Sequence, residues 1–151
     1  MSPKMLREQG LSLLEVLLSL SIIAIILIMA TRYFFVASHN DKVNITVSQI
    51  GGLIAAVHNY NGADPNYSNM TIEKLSVAGQ LVNFPGFDGH ETLKTMWGDV
   101  FTLQANATNI THKINLPDTP TCEALMRAFP SDPKGSVTSE CNEKTFNYTF
   151  S

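Results

Sequence analysis

Residues 10–30 read GLSLLEVLLSLSIIAIILIMA and decide the fold of this chain. The stretch from Leu11 to Ala30 holds 20 residues, and its one charged residue is Glu15. As a helix, 20 residues rise about 30 Å, which matches the hydrocarbon core of a bilayer. The stretch therefore predicts a helix that crosses a membrane and carries a carboxylate near its start.

The residues on either side of this run indicate its orientation. Residues 1–10, MSPKMLREQG, carry Lys4 and Arg7, which predict that this end stays in the cytoplasm. A secretory signal peptide would have a shorter apolar core and a small-x-small cleavage site after it, whereas Thr31–Phe35 follow here. A plain membrane anchor explains the run but gives Glu15 no use, although a carboxylate at mid-span costs up to about 2.5–3.5 kcal/mol.

An amphipathic segment continues the apolar run. The pattern predicts one helix from about Leu11 to about Tyr60, whose second half packs against a head domain. Gly51-Gly52 interrupts this pattern at a cost of about 2 kcal/mol of helix propensity, and either close packing or a bend would explain the pair. The stripe has a 4-3-4-3 spacing and consists of Val43, Val47, Ile50, Ile54 and Val57.

The string Gly10-Leu11-Ser12-Leu13-Leu14-Glu15 resembles the cleavage site of type IV prepilins. The resemblance implies that a membrane aspartic peptidase, the prepilin peptidase, cuts between Gly10 and Leu11 and methylates the new N-terminus at Leu11. It implies that Glu15 sets the filament register, because the α-amino group of a neighbouring subunit neutralises a carboxylate that would otherwise be costly in a dry helical core. The expected fold is the α+β pilin fold, a long N-terminal helix, transmembrane and then amphipathic, packed on a small antiparallel sheet.

Four segments follow from this interpretation. Residues 1–10 are expected to be a prepilin leader, and residues 11–30 the transmembrane and filament-core half of the long helix. Residues 31–61 are expected to be its amphipathic half, and residues 62–151 a globular head. In the inner-membrane precursor the leader would be cytoplasmic and the head periplasmic, and the assembled subunit would be part of an extracellular pilus.

The head is expected to be a small antiparallel sheet with short helices. Turn and capping residues mark the ends of each element, and Phe146, Tyr148 and Phe150 alternate on one face of the last strand. The predicted elements are a helix at Thr71–Ala78, a loop at Asn83–His90, strands at Val100–Leu103 and Ile110–Leu116 joined across Asn106–Asn109, a helix at Pro120–Phe129 capped by Thr119, and a strand at Thr145–Phe150.

Two cysteines, Cys122 and Cys141, lie near the C-terminus. A metal site normally needs more ligands, whereas a pair in an oxidising compartment indicates one disulfide. Closing that loop would stabilise the head by about 3 kcal/mol in the chain-entropy model. The expected periplasmic position of the head therefore predicts a Cys122–Cys141 disulfide.

The layout also resembles the type IVb pilins, including the thin-pilus pilins of conjugative systems. The resemblance is carried by Leu11 at the new N-terminus, Met96-Trp97-Gly98 before a strand, Cys122 in Cys-Glu-Ala-Leu, and Cys141 before the last strand. The leader and the mature chain are both short for that group. Major pilin, minor pilin and pseudopilin therefore stay open.

No residues form a recognisable catalytic or metal-binding motif, so we expect a structural protein without catalytic residues, cofactor or metal. Asp88, His90 and Glu91 lie in a Gly-rich loop but lack the carboxylate pattern of a calcium loop. The net charge of −3, with no basic cluster, argues against direct nucleic-acid binding. Four histidines show no ligand spacing, so we expect them to be solvated or locally bonded rather than to share a metal site: His39, His58, His90 and His112.

The resemblance implies partners rather than substrates. These are further copies of the chain in a helical homopolymer, other pilins, the prepilin peptidase and the pilus assembly platform of the inner membrane. Such filaments serve adhesion, conjugation and DNA transfer, or motility. Two alternatives stay open: a pseudopilin of a type II secretion system, and a membrane-anchored periplasmic binding protein or enzyme.

Overall fold

The computed structural model describes residues 12–64 and 66–151, so the predicted cleavage site at Gly10 and Leu11 lies outside the described residues. The chain forms two compact units, one ending at His39 and the other spanning Asn40–Ser151. The elements in chain order are α1 (Leu13–Asn61), α2 (Ile72–Val77), β1 (Thr102–Ala105), β2 (Ile110–Asn115), α3 (Thr119–Ala128), β3 (Val137–Asn142) and β4 (Thr145–Phe150).

Helix α1 confirms the predicted long helix and belongs to both units. In the first unit its apolar side chains are exposed, from Leu13 at 79% to Val36 at 60%. The helix is long and apolar enough to cross a membrane. A helix that is apolar on all sides has no favourable face toward water, which is the behaviour expected of a membrane-embedded or bundled segment.

The second unit buries the predicted stripe of α1 and also further residues of the helix beside it. Ile50 and Val57 are fully buried, and Val43, Val47 and Ile54 are partly buried against the core. The remaining buried residues of the helix lie beside the stripe and include two polar side chains: Thr46, Gln49, Leu53 and Ala56.

Among the described residues the strands form a four-stranded antiparallel sheet of order β1-β2-β4-β3. Strand β4 lies between β2 and β3, with Ile114 opposite Phe146 on one side and Cys141 opposite Phe146 on the other. Ile114 and the aromatic residues of β4 are buried on one face, as the alternation of β4 predicted. The prediction of an α+β pilin-like fold, a long helix packed on a small antiparallel sheet, is confirmed.

Strand β3 was missing from the prediction. It forms a hairpin with β4, in which Asn142 pairs with Thr145 across Glu143 and Lys144. Glu143 adopts φ of 55°, a conformation that hairpin turns normally assign to Gly, Asn or Asp. A Glu-Lys turn gives no such signal, so the hairpin was not visible in the sequence.

Helices α2 and α3 lie within two residues of their predicted bounds, whereas strand β1 begins at Thr102, two residues after the predicted start at Val100. Helix α2 is capped by Thr71, one of two residues suited to that role with Asn69, and the Thr71 hydroxyl accepts from the Lys74 amide at 3.2 Å. The predicted cap of α3 is wrong, because Asp118 is the N-cap and its carboxylate accepts from the Thr121 amide at 2.8 Å. A carboxylate there also interacts favourably with the positive, N-terminal end of the helix dipole, whereas a threonine side chain carries no charge.

Candidate functional site

The acidic residue of the predicted processing region, Glu15, lies in the first turn of α1. Its amide donates to the Ser12 carbonyl at 2.9 Å, so the helix is already formed where the described residues begin. The side chains around it are exposed and apolar, with Leu14 at 76% and Leu18 at 60%. Glu15 makes no ion pair with any residue that the structure describes.

Hydroxyl groups in the apolar half of α1 are satisfied within the helix. Ser19 donates to the carbonyl of Glu15 at 2.9 Å, and Ser21 donates to that of Leu17 at 2.8 Å. Thr31 bonds to its own helix in the same way. Because such hydroxyls demand no partner from outside, this segment can enter an apolar environment at little cost apart from the Glu15 carboxylate.

A disulfide joins Cys122 in α3 to Cys141 in β3, with Cα atoms 5.9 Å apart. The Cys122 side chain is fully buried, while Cys141 is partly buried against the core. The bond therefore ties α3 to the β3 edge of the sheet. Sequence separation between the two residues is 19, so the link closes a medium-sized loop.

Within that loop, serine and aspartate side chains organise the connection into β3. The Ser139 amide donates to the Ser131 hydroxyl at 2.9 Å, and the Asp132 amide donates to the Val137 carbonyl at 2.8 Å. The Asp132 carboxylate accepts from the Ser136 hydroxyl at 2.7 Å, and this bond lowers the pKa of Asp132. These contacts occupy outer backbone groups of Val137 and Ser139, so the first half of the β3 edge is less available for pairing with a further strand.

A buried amide on α1 holds the loop that precedes β1. The Gln49 side chain, 1% exposed, donates to the carbonyls of Pro85 at 2.7 Å and Lys94 at 3.0 Å. Gly86, with φ of 82°, lies in the same contact, and a Cβ there would overlap the Lys94 carbonyl. Sequence reasoning missed Gln49, although its position beside Ile50 on the buried face was a usable signal.

The two glycines of α1 have different surroundings, which answers the question that the sequence left open. The helix continues without interruption through both residues. A Cβ on Gly52 would lie 2.9 Å from the ring of Phe84, whereas a Cβ on Gly51 would meet no atom within 4 Å. Close packing against Phe84 therefore explains Gly52, and nothing in the structure explains Gly51.

His112 is a buried residue that sequence reasoning placed among solvated or locally bonded histidines, and that placement is wrong. It lies on β2 with 0% exposure, and neither ring nitrogen has a hydrogen-bond partner among the residues that the structure describes. Its ring stacks on Phe150 at 5.5 Å with an interplanar angle of 18°. Burial lowers the pKa of His112 to about 4, so the imidazole is neutral in the fold.

The Gly-rich loop around Asp88 is held together by hydrogen bonds between its own residues. The Asp88 carboxylate accepts from the amides of His90 at 2.9 Å and Thr92 at 3.1 Å, and also from the Thr92 hydroxyl. The Thr92 hydroxyl and the His90 amide lower the pKa of Asp88 to about 2. Across residues 12–64 and 66–151, no cluster of three or more His, Cys, Asp or Glu side chains could hold a metal ion.

Comparison with known proteins gives one match. The family model described as the prokaryotic N-terminal methylation motif matches residues 5–31, which contain Gly10, Leu11 and Glu15. No curated protein and no solved structure matches the chain significantly. The motif supports a type IV prepilin-like protein, either pilin or pseudopilin, made as a membrane-anchored precursor and processed by prepilin peptidase. It also suggests a structural rather than a catalytic role.

Proposed function

We propose that the chain is a structural subunit of a type IV pilus, a major or minor pilin of the type IVb kind. The observation that carries the proposal is the methylation motif over residues 5–31, which overlaps helix α1 from Leu13 onward, together with the exposed apolar side chains of this helix as far as Val36. The same helix continues to Asn61 within a folded, disulfide-linked head. A filament subunit needs all three parts: a processing signal, an assembly helix and a stable head.

The exposed half of α1 suits the two environments that a pilus subunit occupies in succession. Before assembly its apolar side chains fit a bilayer, and after assembly they fit a bundle of the same helices from other copies. Glu15 is the residue that distinguishes these states. Near the membrane surface its carboxylate reaches water, whereas in a dry bundle it needs a positive partner.

Cleavage would supply that partner. Hydrolysis of the Gly10–Leu11 peptide bond releases the leader and creates an α-amino group on Leu11. Transfer of one methyl group from a sulfonium donor, which leaves as a thioether, converts the neutral amine into a secondary ammonium that stays basic and cationic. In the proposed filament the Leu11 ammonium of one subunit neutralises Glu15 of a neighbour, which fixes the axial register as each subunit is added.

Intact-mass and N-terminal analysis of the protein from its native membranes tests this proposal. We expect a chain that starts at Leu11, carries one added methyl group and lacks two hydrogens because of the disulfide. A chain that still starts at Met1 would overturn the proposal and leave a membrane-anchored binding protein or enzyme. An intact disulfide also reports that the head has reached an oxidising compartment.

A sheared-cell fraction separates the pilin from the pseudopilin. The pilin proposal expects the processed chain in surface filaments, whose use would be adhesion, conjugation and DNA transfer, or motility. A processed chain that stays in the membrane fraction, with a head whose melting temperature rises on addition of calcium, would instead identify a type II secretion pseudopilin.

A further inference from the structure

The apolar surface of α1 extends beyond the length that a bilayer core requires. Residues 13–30 already rise about 27 Å, close to the full hydrocarbon thickness. Tyr33, Phe34, Phe35 and Val36 follow, and all four side chains remain 60–77% exposed. We call these four residues the collar. Full burial in α1 begins only later, at Thr46.

The collar surrounds the helix instead of forming a stripe. Consecutive helical residues point about 100° apart, so four in a row cover every direction around the axis. Phe34 and Phe35 lie edge to face, with ring centroids 6.1 Å apart. Arg32, directly before the collar, is the first basic residue after the apolar run. Exposed apolar side chains on every side of a helix fit an environment that is the same in all directions around the helix axis. A groove on one protein would contact only one side.

The chemistry of the collar matches one such environment, the boundary between acyl chains and headgroups. Aromatic rings are enriched at that depth, and the Tyr33 hydroxyl can reach headgroups and water. Arg32 can extend its guanidinium toward lipid phosphates while its methylene groups stay among the acyl chains.

We propose that the collar is a membrane-interface anchor that binds the headgroup boundary of the outer leaflet and fixes the depth of α1 before assembly. The proposal rests on the proposed function, because it requires α1 to be inserted in the inner membrane with its head outside. Glu15 and Tyr33 are separated by about 27 Å of helix rise, nearly one hydrocarbon thickness. With the collar at the outer boundary, the Glu15 carboxylate therefore lies at the inner boundary, where its burial costs least.

Depth-dependent fluorescence quenching tests the collar in the full-length chain. The chain is reconstituted in phosphatidylcholine vesicles whose acyl chains carry bromine either near the glycerol backbone or near the chain ends. Trp97 is replaced by Phe, and single tryptophans are introduced as Phe34→Trp or Ile23→Trp. The unaltered chain, with Trp97 in the head, serves as the control outside the bilayer.

We expect the tryptophan at position 34 to be quenched about twofold more by shallow than by deep bromines. The tryptophan at position 23 should show the reverse order, and Trp97 should be quenched by neither lipid. A position-34 tryptophan that is unquenched, or that follows the deep pattern of position 23, would overturn the proposal.

A second pair of variants tests whether the collar holds α1 at a fixed depth in the bilayer. In the Ile23→Trp background, Phe34→Ser with Phe35→Ser should change the ratio of shallow to deep quenching, because α1 is no longer held at its depth. The matched pair Phe34→Tyr with Phe35→Tyr should keep the original ratio. An unchanged ratio in the serine pair would refute anchoring by the collar.

Filament formation by the same variants keeps this proposal separate from the proposed function. Filaments from a chain whose position-34 tryptophan is unquenched would reject the collar and retain the pilin. A collar at the headgroup boundary in a chain that never loses residues 1–10 would reject the pilin and retain the collar.

Discussion

The two halves of helix α1 differ in the exposure of their side chains and in their hydrogen-bond partners. Up to Val36 the side chains are apolar and exposed on every side, whereas from Thr46 to Val57 one face is buried in the head. The part of the first half that the structure describes holds two charged side chains without an ion pair, Glu15 near its start and Arg32 near its end, and hydroxyls bonded to their own helix. The second half holds Gln49, bonded to a loop distant in sequence. In the proposed subunit, the first half exchanges lipid for the helices of other copies, whereas the second half keeps one partner, the head.

The largest effect is expected at Glu15. Glu15→Ala should be processed and inserted normally but should lower filament yield in the sheared fraction by roughly tenfold or more, because the neighbouring ammonium loses its counter-charge in the dry bundle. Ser19→Ala is the matched control, since it removes a hydroxyl that bonds only within its own helix. Normal filaments from Glu15→Ala would remove the register role.

The disulfide gives the next largest effect, this time on the head against which the second half of α1 packs. The double variant Cys122→Ser with Cys141→Ser should lose about 3 kcal/mol of unfolding free energy and become sensitive to protease in the head. The measurement is urea unfolding and limited proteolysis of the full-length chain in detergent micelles. The unaltered chain treated with reductant should reproduce the loss. Unchanged protease resistance in the double variant would show that the core alone holds the head.

Buried His112 predicts an acid-sensitive head. Its pKa is about 4 in the fold and about 6.5 when unfolded, so the unfolded chain binds the extra proton more readily. Stability that is complete above about pH 6.5 is therefore lost as the pH falls toward 4, by an amount on the order of 3 kcal/mol.

Unfolding measurements at several pH values check the role of His112. His112→Leu should flatten the pH dependence in this window. His90→Gln, at an exposed position, should leave it unchanged. The groups beside His112 are Phe150, on which it stacks, and Tyr148, which stays neutral across this window. An equal slope in His112→Leu would assign the acid sensitivity to other groups.

The smallest effect distinguishes the two glycines of α1. Gly51→Ala should stabilise the chain by up to about 1 kcal/mol, because the new methyl group meets open space and the helix gains propensity. Gly52→Ala should give no gain, because its methyl group meets the Phe84 ring at 2.9 Å. Thermal unfolding of the two variants side by side provides the test, and equal shifts would contradict close packing at Gly52.

The apolar half was predictable because its signal is local. An uninterrupted apolar run defines a helix without reference to any other part of the chain, and the methylation motif lies in the same residues. The stripe of the second half was predictable for the same reason, since helical periodicity marks its buried face. Strand β4 also followed from its own alternation of aromatic and polar residues.

The parts that escaped prediction depend on distant partners or on atypical turns. Gln49 bonds to Pro85 and Lys94, which lie 36 and 45 residues away, so its position beside Ile50 could indicate its burial but not its partners. Strand β3 escaped because Glu143 takes a positive φ in a Glu-Lys turn. The cap of α3 was placed one residue late because Asp118 and Thr119 both suit that role, and the choice depends on backbone geometry.

The central position of β4 has a consequence for the order in which the protein is made. Strands β1 and β2 and helix α3 emerge from the ribosome earlier, but the sheet closes only when residues 145–150 arrive between β2 and β3. The membrane segment is synthesised first and the strand that completes the head last. In the proposed topology, the head can therefore fold completely only after nearly the whole chain has crossed the membrane. A stop codon before residue 145 would leave an anchored subunit whose β2 and β3 have lost their shared neighbour.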